Sequence, residues 1–134
     1  PMPLVADRDG QWLDASDPKL LDQAISTLRG IAPEDGTSLI NAFATIRRLS
    51  PMPDQVVLIT DGLPTQGAER GIRRFVNVNQ RSRLFDEAQR SLPPNVPVDV
   101  ILLPLLGEPP APHQYWGLAR ATGGQFLMPA RDWP

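Results

Sequence analysis

The apolar run at 56–59, which is followed by Thr60, Asp61 and Gly62, constrains the fold of this chain more than any other feature. Four consecutive apolar residues (Val-Val-Leu-Ile) are typical of a parallel strand that is covered on both faces. Parallel strands alternate with helices in α/β domains, and ligands bind outside the carboxyl ends of those strands. Asp61 is therefore predicted to lie at a ligand-binding edge.

Proline and glycine divide the rest of the chain into short segments, because proline neither continues a helix nor donates in a central strand. Apolar residues recur at helical spacing in several of these segments. The sequence predicts helices at 18–29, 38–49, 80–92 and 113–122, strands at 55–60, 98–103 and 125–128, and a short β-hairpin at 4–13 around Asp9-Gly10. This alternation predicts a single α/β domain over residues 1–134.

The composition excludes several classes of function. A net charge of −2 provides no electrostatic drive toward nucleic acid or anionic lipid. Cysteine is absent, which rules out disulfides, thiolate metal sites and cysteine nucleophiles. No apolar run approaches the ~18 residues of a membrane span. We expect no nucleic-acid partner and no membrane insertion by these residues.

Two further groups of residues have a structural explanation. Tyr115 and Trp116 lie at helical spacing with Leu118 and Ala119, so both rings are expected in the core. His113 is the only histidine, and a Ser-His-Asp triad built on it is not expected. An arginine-rich stretch with interspersed acidic residues is expected to form a solvated surface; it contains arginines 70, 73, 74, 81, 83 and 90.

The turn Gly36-Thr37-Ser38 leads into the second predicted helix. A hydroxyl at this position is most often an N-cap that binds free backbone N–H groups. The alternative is functional, because the next strand brings Asp61 to the same edge of the sheet, where a hydroxyl and a carboxylate can converge. Such hard oxygen ligands suit magnesium or calcium. The residues alone leave both explanations open.

Three segments together resemble the von Willebrand factor type A (vWA) domain family: Gly36-Thr37-Ser38-Leu39, the VVLITDGLP segment at 56–64, and the ATGGQF segment at 121–126. Their order and separations match the family over essentially the whole chain. The resemblance implies a doubly wound, Rossmann-like, mostly parallel sheet with helices on both faces. It also implies a metal-ion-dependent adhesion site (MIDAS), which holds Mg²⁺, or Ca²⁺ or Mn²⁺, and binds an acidic residue of a protein partner.

Carried onto this sequence, the resemblance implies that Thr37 and Asp61 are metal ligands. Gly36 and Gly62 would let the backbone approach the ion closely. The resemblance and the position of the loop after Asp61 give the remaining ligand-binding candidates, which are Ser38, Leu63, Pro64, Thr65 and Gln66. The resemblance favours a bacterial member of the family. A chain without cysteine is compatible with a location in the cell envelope or periplasm.

One part of the family pattern has no counterpart here. The family's metal motif begins with Asp-x-Ser-x-Ser at the end of a first, central strand, and the nearest imitation is Asp14-Ala15-Ser16-Asp17, in which Asp17 is better explained as a helix N-cap. We therefore expect the carboxyl-terminal portion of a vWA-like domain, without its first strand and helix. The strand at 55–60 would then have a free apolar edge that another chain segment can pair with. Cation binding would be weak, because Thr37 and Asp61 supply only part of the ~6 oxygen ligands needed.

These features favour a binding module over an enzyme. In this interpretation the cation captures an acidic group of a partner, and no catalytic residue is needed. The first alternative is a structural vWA-like domain with a degenerate metal site. The second is a Mg²⁺-dependent enzyme that acts on phosphoesters, which strand-end acids suit. The sequence disfavours the enzyme, because it has no phosphate-cradling Gly-rich loop and Lys19 is its only lysine.

Overall fold

A computed structural model describes residues 5, 8, 10–32, 36–69, 76–103 and 109–130. The elements in chain order are helix α1 (Pro18–Gly30), helix α2 (Leu39–Ile46), strand β1 (Val56–Thr60), helix α3 (Val78–Gln89), strand β2 (Val98–Leu102), helix α4 (Pro110–Thr122) and strand β3 (Phe126–Leu127). The predicted α/β alternation is confirmed. None of these helices has both the length and the apolarity needed to cross a membrane.

Local side-chain chemistry accounts for most helix ends. Asp17 accepts a hydrogen bond from the Lys19 N–H at 2.9 Å, which confirms its predicted role as the N-cap of α1. Asn77 and Gln80 form a reciprocal capping box that starts α3 two residues before the predicted position. Helix α4 begins at Pro110 and not at His113, because proline is tolerated in a first turn whose N–H groups lack partners anyway.

The predicted hairpin is not formed by the residues that can be assessed. The predicted strand at 11–13 has no regular secondary structure, and Leu4 and Ala6 lie outside the described residues. Gly10 does adopt the positive φ, 67°, that its predicted turn requires. Trp12 instead donates its indole N–H to the Pro51 carbonyl at 2.8 Å, which ties this segment to the residues that precede β1.

The three strands form a parallel sheet in the order β1-β2-β3. Val56 pairs with Val98, and Val100 pairs with Phe126. Within the described ranges β1 has no strand on its other side, so it has the free edge that the sequence predicts. All three strands point their carboxyl ends in one direction, which places Asp61 at that end of the sheet.

One face of the sheet carries the core. Val98, Val100 and Leu102 alternate along β2 with their side chains buried, and helices α2, α3 and α4 pack over this face. Phe85 of α3 and Tyr115 of α4 meet edge to face, with ring centroids 4.9 Å apart. Tyr115 is therefore in the core as predicted. Trp116 is not: its ring is exposed, and the Arg120 guanidinium lies 5.3 Å from the ring centroid.

The opposite face of the sheet is bare in the part of the chain that the structure describes. Val57 is 58% exposed and Ile59 is 64% exposed, so the prediction that this strand is covered on both faces is wrong for these residues. Helices α3 and α4 connect strands that progress in one direction across the sheet, and right-handed crossovers of that kind place their helices on one face. Helix α1 packs against none of the other helices or strands, and its Leu21, Ile25 and Leu28 are exposed.

Candidate functional site

The loop that follows β1 docks directly on Thr37. The backbone N–H groups of Thr65 and Gln66 both donate to the Thr37 carbonyl at 3.0 Å. In return, the Thr37 N–H donates to Oγ1 of Thr65 at 2.9 Å. These bonds join segments 28 residues apart in sequence. The turn before α2 and the loop after β1 therefore form one structural unit, which we call the Thr37 seam (residues 36–38 with 65–67).

Gly36 is required by the closeness of this contact. A Cβ atom at Gly36 would lie 2.2 Å from Oγ1 of Thr65 and 2.9 Å from Cγ of Gln66. Any other residue would push away the hydroxyl that binds the Thr37 N–H. The glycine thus allows the loop after β1 to approach the backbone closely.

We expect Gly36→Ala to lower the free energy of unfolding by about 1–2 kcal/mol, because the overlapping atoms belong to side chains that can move at a cost. Urea unfolding measures the change. Gly30→Ala is the matched control, because a Cβ there meets nothing within 4 Å, and it should be neutral or stabilising. Equal stabilities of the two variants would contradict a tight seam.

Ser38 extends the seam and caps the helix. Its hydroxyl accepts from the Asn41 N–H at 3.4 Å and donates to the Gly67 carbonyl at 2.7 Å. Asn41 also donates its side-chain amide to the Ala68 carbonyl at 3.1 Å. The N-cap of α2 is therefore Ser38 and not Thr37. This leaves the Thr37 hydroxyl, on an exposed residue, outside the capping interaction that the sequence offered as its simplest explanation.

The predicted loop residues differ in their accessibility. Asp61 is exposed at the end of β1, whereas Gly62, Leu63 and Pro64 are buried. The buried Gly62 carbonyl accepts from the Thr60 hydroxyl at 2.9 Å and from the Tyr115 hydroxyl at 2.8 Å, so its hydrogen-bonding capacity is satisfied. These buried residues hold the loop in place. Among the loop candidates, Thr65 and Gln66 are the ones with partly exposed side chains.

Positive charge lies near Asp61. Arg81, in the first turns of α3, donates through its guanidinium to the Leu63 carbonyl, with Nε at 3.1 Å. Partial burial lowers the pKa of Arg81, and the charges of Tyr115 and Asp61 act in the opposite direction. The carboxylate at the end of β1 is therefore close enough to Arg81 to act on its titration. A basic group thus stands near one of the two predicted metal ligands.

Thr37 and Asp61 fit a hard cation in the kind of donor that they offer. A threonine hydroxyl and a carboxylate are both oxygen ligands of the type that Mg²⁺ and Ca²⁺ prefer. Asp61 lies four residues before Thr65, so their Cα atoms are at most ~14 Å apart along the chain, and Thr65 contacts Thr37 directly. Among the described residues, no three His, Cys, Asp or Glu side chains gather as a metal-binding group. Water would have to complete the coordination of any ion held here.

A groove borders the seam. It encloses about 390 Å³ and is lined in part by Thr65, Gln66, Glu69, Gln80 and Arg83. Thr65 and Gln66 are the residues that the sequence predicts to contact a partner. Arg83 adds a positive charge to the same wall, at a position that the sequence assigned to a solvated surface.

Comparisons with known proteins found no matching family model, no matching curated protein and no matching solved structure. The vWA resemblance therefore depends on the three sequence segments themselves.

Sequence reasoning missed Arg81 and Tyr115 as neighbours of the candidate site. The prediction starts α3 at Gln80 and so already places Arg81 in the first turn, but no nearby pattern in the sequence indicates that its guanidinium reaches the Leu63 carbonyl. The Asn77-x-x-Gln80 spacing is the signal that would have moved this start. Tyr115 was recognised as a core residue, but nothing near it in sequence indicates that its hydroxyl reaches Gly62.

Proposed function

We propose that this chain is a vWA-like binding module in which Thr37 and Asp61 hold a divalent cation, Mg²⁺ in the first instance. A bound cation supplies positive charge to an acidic residue of a protein partner. The observation that carries the proposal is the docking of Thr37 on the loop opened by Asp61, through the Thr65 and Gln66 N–H groups. It links the two predicted ligands, which are distant in sequence, through one short loop.

Two further features support a partner-binding role. The groove beside the seam brings the half-exposed Thr65 and Gln66 together with Glu69 and Arg83, and Arg83 is the side chain there that can pair with an acidic group of a partner, beside one acidic neighbour. The free edge of β1 and the bare sheet face are what a vWA-like domain leaves when its first strand and helix are absent. In this proposal, the edge of β1 is the place where a strand of another chain segment, a second copy of this chain included, pairs with the sheet.

One observation favours the structural alternative, in which the metal site is degenerate. Burial lowers the pKa of Arg81 and the charge of Asp61 raises it against this larger effect, so a cation that belongs to the fold lies near this carboxylate. A permanent positive charge near the carboxylate weakens the attraction for a second cation. The structural domain and the binding module therefore differ in one measurable property, their response to Mg²⁺.

Mg²⁺ titration tests the proposal. We expect Mg²⁺ to bind with a Kd near ~10⁻³ M, in the range of weak oxygen-ligand sites, and to raise the free energy of unfolding by about 1.4 kcal/mol at ten times Kd. Calorimetry and thermal unfolding measure both quantities. Asp61→Ala and Thr37→Val should each weaken binding at least tenfold, because each removes one oxygen ligand.

Asp54→Ala is the matched control, because this exposed carboxylate lies just before the opposite end of β1 and should leave the Mg²⁺ response unchanged. A wild-type chain that does not respond to Mg²⁺, Ca²⁺ or Mn²⁺ would support the structural alternative. Turnover of a phosphoester that is lost in Asp61→Ala would support the enzyme. Equal binding by the wild type and Asp61→Ala would place the cation elsewhere.

A further inference from the structure

The backbone of β1 presents unpaired hydrogen-bonding groups at the free edge of the sheet. The Val56 N–H donates to the Pro97 carbonyl at 2.9 Å, and the Thr60 carbonyl accepts from the Leu103 N–H at 2.8 Å. In a parallel ladder, alternate residues direct both backbone groups to the same neighbour. Val56, Leu58 and Thr60 therefore bond to β2. The N–H and C=O groups of Val57 and Ile59 point the other way, where the described part of the chain provides no partner.

The same two residues carry the most exposed large apolar side chains in the described structure. Ile59 and Val57 exceed all the others in exposed fraction, at 64% and 58%. The segment 55–60 contains no charged residue, no proline and no glycine. It therefore lacks the devices that normally protect an edge strand from pairing with another chain. The edge therefore exposes the backbone groups that pair with an added strand.

We propose that β1 pairs antiparallel with β1 of a second copy of this chain, which joins two three-stranded sheets into one of six strands. The pairing residues must be those with outward backbone groups, so Val57 and Ile59 form the hydrogen-bonded pairs. With Leu58 on the two-fold axis, Val57 of each copy lies opposite Ile59 of the other. Both cross-strand pairs are then apolar and β-branched, which stabilises an antiparallel sheet.

Charge selects this register over its neighbours. With Leu58 on the axis, Asp61 of one copy lies opposite Gln55 of the other, so a carboxylate faces an amide that donates one N–H to Asp99 of its own chain and has a second N–H for Asp61. An axis at Ile59 would put Asp61 opposite Val57, and an axis at Val57 would put Asp61 opposite Pro53. The axis at Ile59 desolvates the Asp61 carboxylate against an apolar side chain. The axis at Val57 places Asp61 opposite a proline, which has no backbone N–H to donate to the neighbouring strand. The sequence of the edge is therefore complementary to itself in one register.

The pairing has a functional consequence that rests on the function proposed above. Because the two β1 strands run in opposite directions, their carboxyl ends lie at opposite ends of the joined sheet. The two Thr37 seams would face away from each other, and the dimer would bridge two acidic partners. The pairing itself does not depend on a cation. Dimerisation is therefore measured in the presence of a chelator, and its failure is independent of any failure to bind Mg²⁺.

Analytical ultracentrifugation over a range of concentrations tests the pairing. We expect the wild-type chain to dimerise and Ile59→Pro to dimerise at least tenfold more weakly. Proline removes the Ile59 N–H, which faces the free edge and takes no part in the bonds to β2, and edge strands tolerate proline at such positions. Ile59→Thr is the matched control, because it keeps the N–H and the β-branched shape and should still dimerise.

Hydrogen exchange on the wild type provides a test that does not depend on how well the proline variant folds. The Val57 and Ile59 amides should be protected in the dimer and lose protection on dilution, while the Leu58 amide stays protected by β2. A chain that is monomeric at all concentrations would overturn the proposal and leave the edge to a strand of another protein. Loss of the dimer in Ile59→Thr but not in Ile59→Pro would overturn it in favour of packing through the bare face.

Discussion

Gly124→Ala is expected to destabilise this protein by about 3 kcal/mol or more, because the added methyl group would overlap the backbone of β2. A Cβ atom at Gly124 would lie 2.1 Å from the carbonyl oxygen of Val98, 2.4 Å from its carbonyl carbon and 2.9 Å from its nitrogen. All three atoms belong to the backbone of β2, so no side chain can rotate to relieve the overlap. The cost therefore reaches or exceeds the upper end of the ~1–3 kcal/mol typical of overpacking.

The position of Gly124 explains why the backbones come so close. Helix α4 ends at Gly123, which has φ of 80°, and the Gly124 N–H returns to the Ala119 carbonyl at 2.8 Å. The next residue, Gln125, bonds to β2 on both sides: its N–H donates to the Asp99 carboxylate at 2.7 Å, and its carbonyl accepts from the Val100 N–H at 2.8 Å. Only Gly124 and Gln125 thus connect the helix cap at Gly123 to β3.

Thermal and urea unfolding measure the loss, which corresponds to a decrease of roughly 10 °C in Tm. Gly117→Ala is the control, because Gly117 lies inside α4 with nothing within 4 Å of its Cβ position, and alanine there should stabilise the helix by up to ~1 kcal/mol. Gly123→Ala should fall between them, because only its positive φ opposes the substitution. A Gly124→Ala variant as stable as Gly117→Ala would show that β2 and β3 can separate at no cost.

Local patterns in the sequence predicted the elements of this fold well. The Asp17 cap, the periodicity of α1 and the apolar run of β1 each depend on residues a few positions apart, and the structure has each element where it was predicted. The coverage of the sheet was not predictable in this way. Four consecutive apolar residues permit burial on both faces, but burial also requires other elements to cover those faces. Val57 and Ile59 are exposed because α2, α3 and α4 all pack on the other side.

The candidate site shows the same limit. In parallel sheets the strand ends and the loops that follow them lie at one edge. This rule was enough to predict that Thr37 lies near the loop after Asp61, and the two are in contact in the structure. The same rule could not decide which hydroxyl caps α2, because Thr37 and Ser38 are adjacent and a shift of the helix start by one residue exchanges their roles. It also could not predict Tyr115, whose hydroxyl reaches the Gly62 carbonyl across 53 positions of sequence. Contacts of that range depend on how the helix packs and not on any nearby pattern.

Tyr115 is expected to make the stability of this protein fall at alkaline pH. Burial raises the pKa of Tyr115 to about 12 and the Asp61 charge adds to the increase, while the Thr60 hydroxyl and Arg81 oppose it. An exposed tyrosine has a pKa of ~10, so the folded protein holds the phenol proton more tightly than the unfolded chain does. The contribution of this proton to stability is complete below pH ~10 and is lost as the pH rises from ~10 to ~12, by roughly 2–3 kcal/mol in total.

Tyr115→Phe separates this titration from the packing of the ring. The variant keeps the contact with Phe85 but loses the hydrogen bond to the Gly62 carbonyl, so at neutral pH it should be about 1 kcal/mol less stable than the wild type. Phenylalanine does not ionise, and the variant should avoid the alkaline loss. The two curves of stability against pH are therefore expected to cross between pH ~10 and ~12, and urea unfolding at several pH values measures both.

Tyr115 is the only tyrosine in the chain, so tyrosinate absorbance reports its ionisation directly. In the folded wild type this signal should appear close to pH 12, and in urea it should appear near the ordinary ~10. Tyrosinate formation near pH ~10 in the folded chain, or parallel stability curves for the two variants, would mean that the hydroxyl is open to solvent. Such a result would contradict the buried hydrogen bonds that the Thr60 and Tyr115 hydroxyls donate to the Gly62 carbonyl.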